Sequence, residues 1–173
     1  MSSLIFVGLF SLRAGRHVHT SFTRRTGDKG NICHAHYKTA VACRHPPDLP
    51  AEIRIYSRGS DPLLADETLA IVIAKGYVPP GDVAGDLLLD ALYITPFPRD
   101  SDEDSAGYNR KQPDFHWPLL FGLGTVSGSS SELPNGQVSF PVSTSEYVRG
   151  SPMSSTLLRV HYFFFFFVLF NKS

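Results

Sequence analysis

The sequence predicts a mainly β domain. Three observations carry that prediction: the hydrophobic segments are short, Gly and Pro punctuate them at regular intervals, and one hairpin signal is strong. With 173 residues and 42% hydrophobic side chains, the chain can bury one sizeable core. We therefore expect a β-rich domain over residues 51–159, preceded by a basic, poorly defined segment 1–50 and followed by an aromatic tail 160–173.

The elements follow in order. LIFVGLF, from Leu4 to Phe10, reads as a strand followed by a solvated loop. A mitochondrial transit peptide is the competing reading, because this N-terminus is basic, contains Ser and is poor in acids. A secretory signal fits less well, since no Lys or Arg precedes Leu4 to Leu12 and no small-x-small site follows. EIRIYS alternates Ile53 and Ile55 with polar neighbours and reads as a half-buried strand. LAIVIAKGYV, from Leu69 to Val78, is a β-branched run that stops at Pro79-Pro80, where the missing amide hydrogens end a ladder. It should be a central strand.

DVAGDLLLDAL, from Asp82 to Leu92, puts Val83, Leu87, Leu88 and Ala91 on one helical face, although Gly85 weakens a helix and ALYITPF looks extended. The expectation is one short helix of one or two turns feeding a strand near Leu89 to Thr95. Pro96 to Asp114 combines prolines and clustered charge with little to bury, the pattern of a long exposed loop. FHWPLLFGLGTV then resumes the hydrophobic pattern, with Gly122 and Gly124 marking a bulge or bend where two backbones approach. Pro134-Asn135-Gly136 supplies the positive φ values of a tight hairpin, which would place Val138, Phe140 and Val142 on one side of the following strand.

Charge balances at 16 basic against 16 acidic residues, but its distribution does not. From Met1 to Arg44 the bases Arg13, Arg16, Arg24, Arg25, Lys29, Lys38 and Arg44 face the single acid Asp28. Only Cys33 and Cys43 are present, too few for a disulfide framework, so reduced thiols inside a cell are the default. Nuclear or cytoplasmic residence is the expectation, with mitochondria as the alternative.

Candidate chemistry is thin. Cys33, His34, His36, Cys43 and His45 are residue types that bind zinc, but Cys43 and His45 are too close in sequence for both to reach one ion easily. Asp100, Asp102 and Asp104 open like a calcium loop, yet Ser105 stands where the turn glycine is needed and Lys111 where the bidentate Glu belongs. TGDKGN and GLGTVSG read as turns and not phosphate cradles, and no G-x-S-x-G elbow exists. No metal, no cofactor and no catalytic residue is expected.

The aromatic group Phe115, Trp117 and Phe121, with His116 between them, can stack nucleobases if it is exposed on a strand. Joined to Arg24, Arg25 and Lys29, it would make a surface for single-stranded nucleic acid, with cations on the backbone and rings on the bases. The competing reading places FHWPLLF in the core.

RGSDPLLADETLAIVIAKGYVPP, PDFHWPLLFGLGTVSG and LPNGQVSFPVSTSEYVRG together resemble a group of uncharacterised fungal proteins, over roughly Arg58 to Gly150. The resemblance implies a small, partly open antiparallel β-barrel similar to the OB-fold, often used for oligonucleotides. It implies no activity, and the first 50 residues and the continuation after MSSTLL depart from the group. A β-barrel binding module is thus the leading expectation, and a structural or protein-interaction domain, or a truncated product without activity, the alternative.

HYFFFFFVLF, from His161 to Phe170, is too short to span a bilayer, since Val160 to Phe170 makes about 16 Å of helix. Five consecutive Phe codons form a pyrimidine tract, and Val160 is encoded by GTN. The expectation is therefore that residues from about Val160 are intron-derived or otherwise aberrant, leaving the barrel incomplete at its C-terminus.

Overall fold

The computed structural model describes residues 3–23, 25–43, 47–78, 86–98, 118–126, 128–132, 138–149 and 151–159. These residues are mainly β, and no helix occurs among them. No described helix is long and apolar enough to cross a membrane.

The architecture starts with one long strand. β1 (Ser3–Thr23) has 21 residues, well beyond the usual strand length, and it serves two sets of partners. Its first half, Ile5 to Leu12, pairs with β4 (Thr68–Tyr77), and its second half, Arg13 to Thr23, pairs with β2 (Lys29–Val41). The change of partner falls at a register shift between Arg13 and Arg16, where Ala14 has a φ of 50°. Asp66 holds this bulge by accepting the Ala14 amide hydrogen at 2.8 Å.

The bulge also reverses the inward parity of the strand. Before it, Leu4, Phe6, Phe10 and Leu12 point into the core; after it, His17 and His19 stand opposite the buried Ala35 and Cys33. Arg16, Val18, Thr20 and Phe22 therefore face outward.

β2 continues to β3 (Leu49–Tyr56), β3 pairs with β5 (Leu87–Pro96), and β5 pairs with β4, which returns to β1. The ring order is β1-β2-β3-β5-β4, the partly open five-stranded barrel similar to the OB-fold that the resemblance implied. Leu4, Phe10, Leu12, Ile53, Val72 and Leu89 fill its interior. Each contributes on the order of 2 kcal/mol by leaving water.

Outside the ring, β6 (Leu119–Leu123) pairs with Ser3 to Val7 of β1. The chain then leaves this sheet at Gly124 to form β7 (Thr125–Val126), β8 (Ser131–Glu132), β9 (Val138–Val148) and β10 (Ser151–Arg159). Gly124 is needed for that crossing, because a Cβ there would lie 2.5 Å from the Ser143 carbonyl oxygen. β9 buries Val142, Thr144 and Val148 and packs against β1, β4 and β5 from outside.

EIRIYS and LAIVIAKGYV are strands as expected, and the latter is central, between β5 and β1. The close backbone approach anticipated for the glycine pair occurs at Gly124. Other expectations are corrected. The strand expected near Leu89 to Thr95 is present but begins earlier, at Leu87, because Leu87 and Leu89 alternate into the core while Leu88 and Asp90 do not. The segment after LIFVGLF is not a loop, since the bulge lets β1 continue onto β2. Segment 1–50 supplies two of the five ring strands, and β3 meets β5 in parallel, unlike every other described pair. β1 pairs with both β2 and β4 and so joins five strands in a ring within residues 3–96, while the interruption expected from about Val160 lies outside the described residues. Asp82 to Gly85, the acidic loop with Asp100, Asp102 and Asp104, the Pro134-Asn135-Gly136 turn and the aromatic tail lie outside the described residues.

Candidate nucleic-acid interface

The outer face of β1, β2, β3 and β5 holds most of the polar chemistry of the ring. Strand alternation puts Gly30, Ile32, His34, His36 and Lys38 of β2 outward, beside Tyr56, Arg54 and Glu52 of β3. At one end, Phe22 pairs with Gly30 and its ring lies on the glycine: a Cβ there would sit 2.7 Å from Phe22 Cζ. The ring remains 36% exposed. Farther along, His34 pairs with Tyr56 edge to face at 6.5 Å between centroids, and Tyr56 is 67% exposed.

The β1–β2 turn at the Phe22 end carries Arg25 and Lys29, both exposed and without an ion-pair partner among the described residues. Gly27 adopts a φ of 89°, and Thr26 Oγ1 donates to Asp28 Oδ2 at 2.9 Å, so the one acid of the turn is engaged locally.

At the opposite end the face is closed by a charge cluster. Arg149, at the β9–β10 turn with a φ of 57°, donates from Nη1 to Glu52 Oε1 at 2.8 Å and from Nη2 to the Glu52 carbonyl at 3.2 Å. Its backbone amide donates to Asp90 Oδ2 at 2.8 Å. Glu52 also accepts from Arg16 at 3.0 Å and faces His36 Nδ1 at 3.1 Å. Arg54 grips Asp90 with two parallel donors, and Lys38 pairs with Asp86. Arg149 Nε is buried without a hydrogen-bond acceptor, and its 3.4 Å approach to Asp90 Oδ1 is electrostatic only.

These contacts set the protonation states. Burial alone would raise the Glu52 pKa, but the hydrogen bonds and fields of Arg149 and His36 hold it at about 2. Burial lowers His36 below 6.5; the Glu52 hydrogen bond opposes this and Arg149 reinforces it. Burial, followed by the field of Arg54, lowers His34 as well. Lys38 is raised chiefly by its hydrogen bond to Asp86.

Of the residues singled out from sequence, Arg25 and Lys29 lie beside this face, whereas Phe121 does not. Phe121 pairs with Ile5 and Lys29 with Thr23, at opposite ends of β1, so the strand's change of partner separates them. Arg24, Phe115 and Trp117 are outside the described residues. Cys33 points inward while His34 and His36 point outward, so these three do not converge on one point, and His45 lies outside the described residues. No group of three or more metal-binding side chains comes together among the described residues. Phe22, Tyr56 and Arg149, which shape this face, were not singled out from sequence, and His34 was considered only as a metal ligand. Alternation in NICHAHYK and EIRIYS carried the signal for His34 and Tyr56; Phe22 required the bulge, and Arg149 the distant packing of β9.

No family model matches the chain, and no curated protein matches it. Among solved structures it is similar to the wild-type single-stranded DNA binding protein from Thermus aquaticus, with a TM-score of 0.45, 12% identity and coverage of 91% of this chain and 73% of that one. A deletion variant of that protein gives a TM-score of 0.41, 12% identity and coverage of 91% and 74%. Fold likeness does not transfer function.

Proposed function

We propose that the chain is a β-barrel binding module for single-stranded nucleic acid. The observation that carries this reading is the exposure of Phe22 and Tyr56 on one outer face whose near end is the basic turn with Arg25 and Lys29. Stacked rings hold bases without regard to sequence, and cations hold the backbone. Phe115 and Trp117 precede β6 in the chain, so their contribution, with that of Phe121 and Arg24, is a separate part of the proposal. Trp117→Ala tests it by weakening binding.

Fluorescence anisotropy of a labelled twelve-nucleotide oligothymidylate across a salt series tests the reading as a whole. Affinity should fall as salt rises, and Arg25→Ala and Lys29→Ala should each reduce the logarithmic salt slope by about 1. Binding that ignores salt, or no binding to any oligonucleotide, overturns the proposal.

A second reading, a protein-interaction domain, is favoured by the other outer face of the ring. Ile71, Tyr93, Leu119 and Phe121 are exposed there on β4, β5 and β6. Sedimentation that shows a monomer at all concentrations, with no change on Phe121→Ser, counts against self-association through that face.

A further inference from the structure

We infer that the outer face of β2 is a short track for about four unpaired nucleotides, at the low end of OB-type site sizes, and that the Arg149 cluster is its end stop. The inference rests on the nucleic-acid reading above and adds the footprint and the residues that limit it.

The track has two aromatic stations. Phe22 lies on Gly30, and Tyr56 stands beside His34, four positions farther along β2. At about 3.3 Å per residue these stations are roughly 13 Å apart. The outward side chains between them are Val18, Thr20 and Ile32, so no carboxylate among the described residues of β1 and β2 interrupts the path. Arg25 and Lys29, which have no ion-pair partner among the described residues, are both at the Phe22 end.

Beyond Tyr56 the surface changes character. The Glu52 side chain is only 12% exposed and Arg149 only 16%, with Arg149 spanning from Glu52 to Asp90. A polynucleotide continuing toward β5 would meet the body of the β9–β10 turn. Displacing that turn would uncover two carboxylates, which repel phosphate. The stop is therefore both steric and electrostatic, and its cations are already committed to protein carboxylates.

Anisotropy with labelled oligothymidylates of two to twelve nucleotides at fixed salt tests the footprint. Affinity should climb to about four nucleotides and then stay nearly level. Phe22→Ala and Tyr56→Ala should each weaken binding of the four-nucleotide probe roughly tenfold; both rings are partly exposed, so circular dichroism should show an unchanged fold. Replacing the stop as a unit, by Arg149→Ala with Glu52→Gln and Asp90→Asn, should move the plateau to longer probes. Affinity that keeps rising through twelve nucleotides in the native protein, or that is indifferent to both aromatic substitutions, overturns the inference while leaving the binding function intact. No binding at any length instead overturns the nucleic-acid reading on which it rests.

Discussion

The two halves of β1 share one strand and one core but carry opposite outer faces. Around the first half, Ile5, Val7 and Leu9 pair with β4 and β6, beside exposed Ile71, Leu119 and Phe121. Around the second half, Arg16 and Phe22 join His34, Tyr56, Glu52 and Arg54. The bulge between Arg13 and Arg16 separates them. The difference teaches that a single inserted residue, by exchanging which parity faces inward, gives one ring an apolar outer side and a polar one that carries charge.

The contrast can be broken most completely from inside. Phe10 is buried in the core behind the first half, and Phe10→Ala should cost roughly 3–5 kcal/mol. Denaturant unfolding followed by circular dichroism should show both faces lost in one transition; a cost below about 1 kcal/mol would mean the halves do not share a core.

Arg149→Ala acts on the polar half alone. It leaves Glu52 and Asp90 without their bridging cation, at a cost of about 3 kcal/mol, and Glu52→Gln in that background should recover part of it. Thermodynamic coupling near zero between the two substitutions would show that the cluster is not a unit.

Acid distinguishes the halves as well. Glu52 titrates at about 2 in the fold against 4.5 ordinarily, so its contribution is complete above pH 4.5 and is lost as pH falls toward 2. The amount is on the order of 3 kcal/mol. His34 and His36 are lowered from 6.5, so below that pH the unfolded chain takes up protons first and stability begins to decline earlier. Stability measured against pH should therefore fall in two stages, and Glu52→Gln should remove the more acidic one.

The junction itself offers a smaller effect. Ala14 sits at a φ of 50°, a region unfavourable to a side chain with a Cβ. Ala14→Gly should raise stability by about 0.5–1 kcal/mol without altering either face. A loss measured by thermal unfolding would show that the Ala14 methyl group is needed at the bulge.

Much of this fold was legible along the chain, and the site much less so. Alternation marked EIRIYS, and β-branching marked the central strand from Leu69. The strand near Leu89 to Thr95 was legible, but its start at Leu87 was not, because Leu87 and Leu88 also suit a helical period and only pairing with β3 and β4 decides between the two. Phe121, Arg25 and Lys29 looked like parts of one surface because each has suitable chemistry. Pairing places them at opposite ends of β1.

By itself the sequence determined where strands form, because a two-residue period and β-branched side chains act locally on the backbone. It also determined the excess of bases in the first 44 residues and the lack of any complete catalytic or metal motif. Only the tertiary structure decided that β1 closes the ring, that Phe22 lies on Gly30, and that Arg149 reaches Glu52, 97 positions away. Those outcomes depend on which strands pair, in which register and around which bulge. Such pairings are settled by the free energy of the whole packed ring, so no short stretch of sequence encodes them alone.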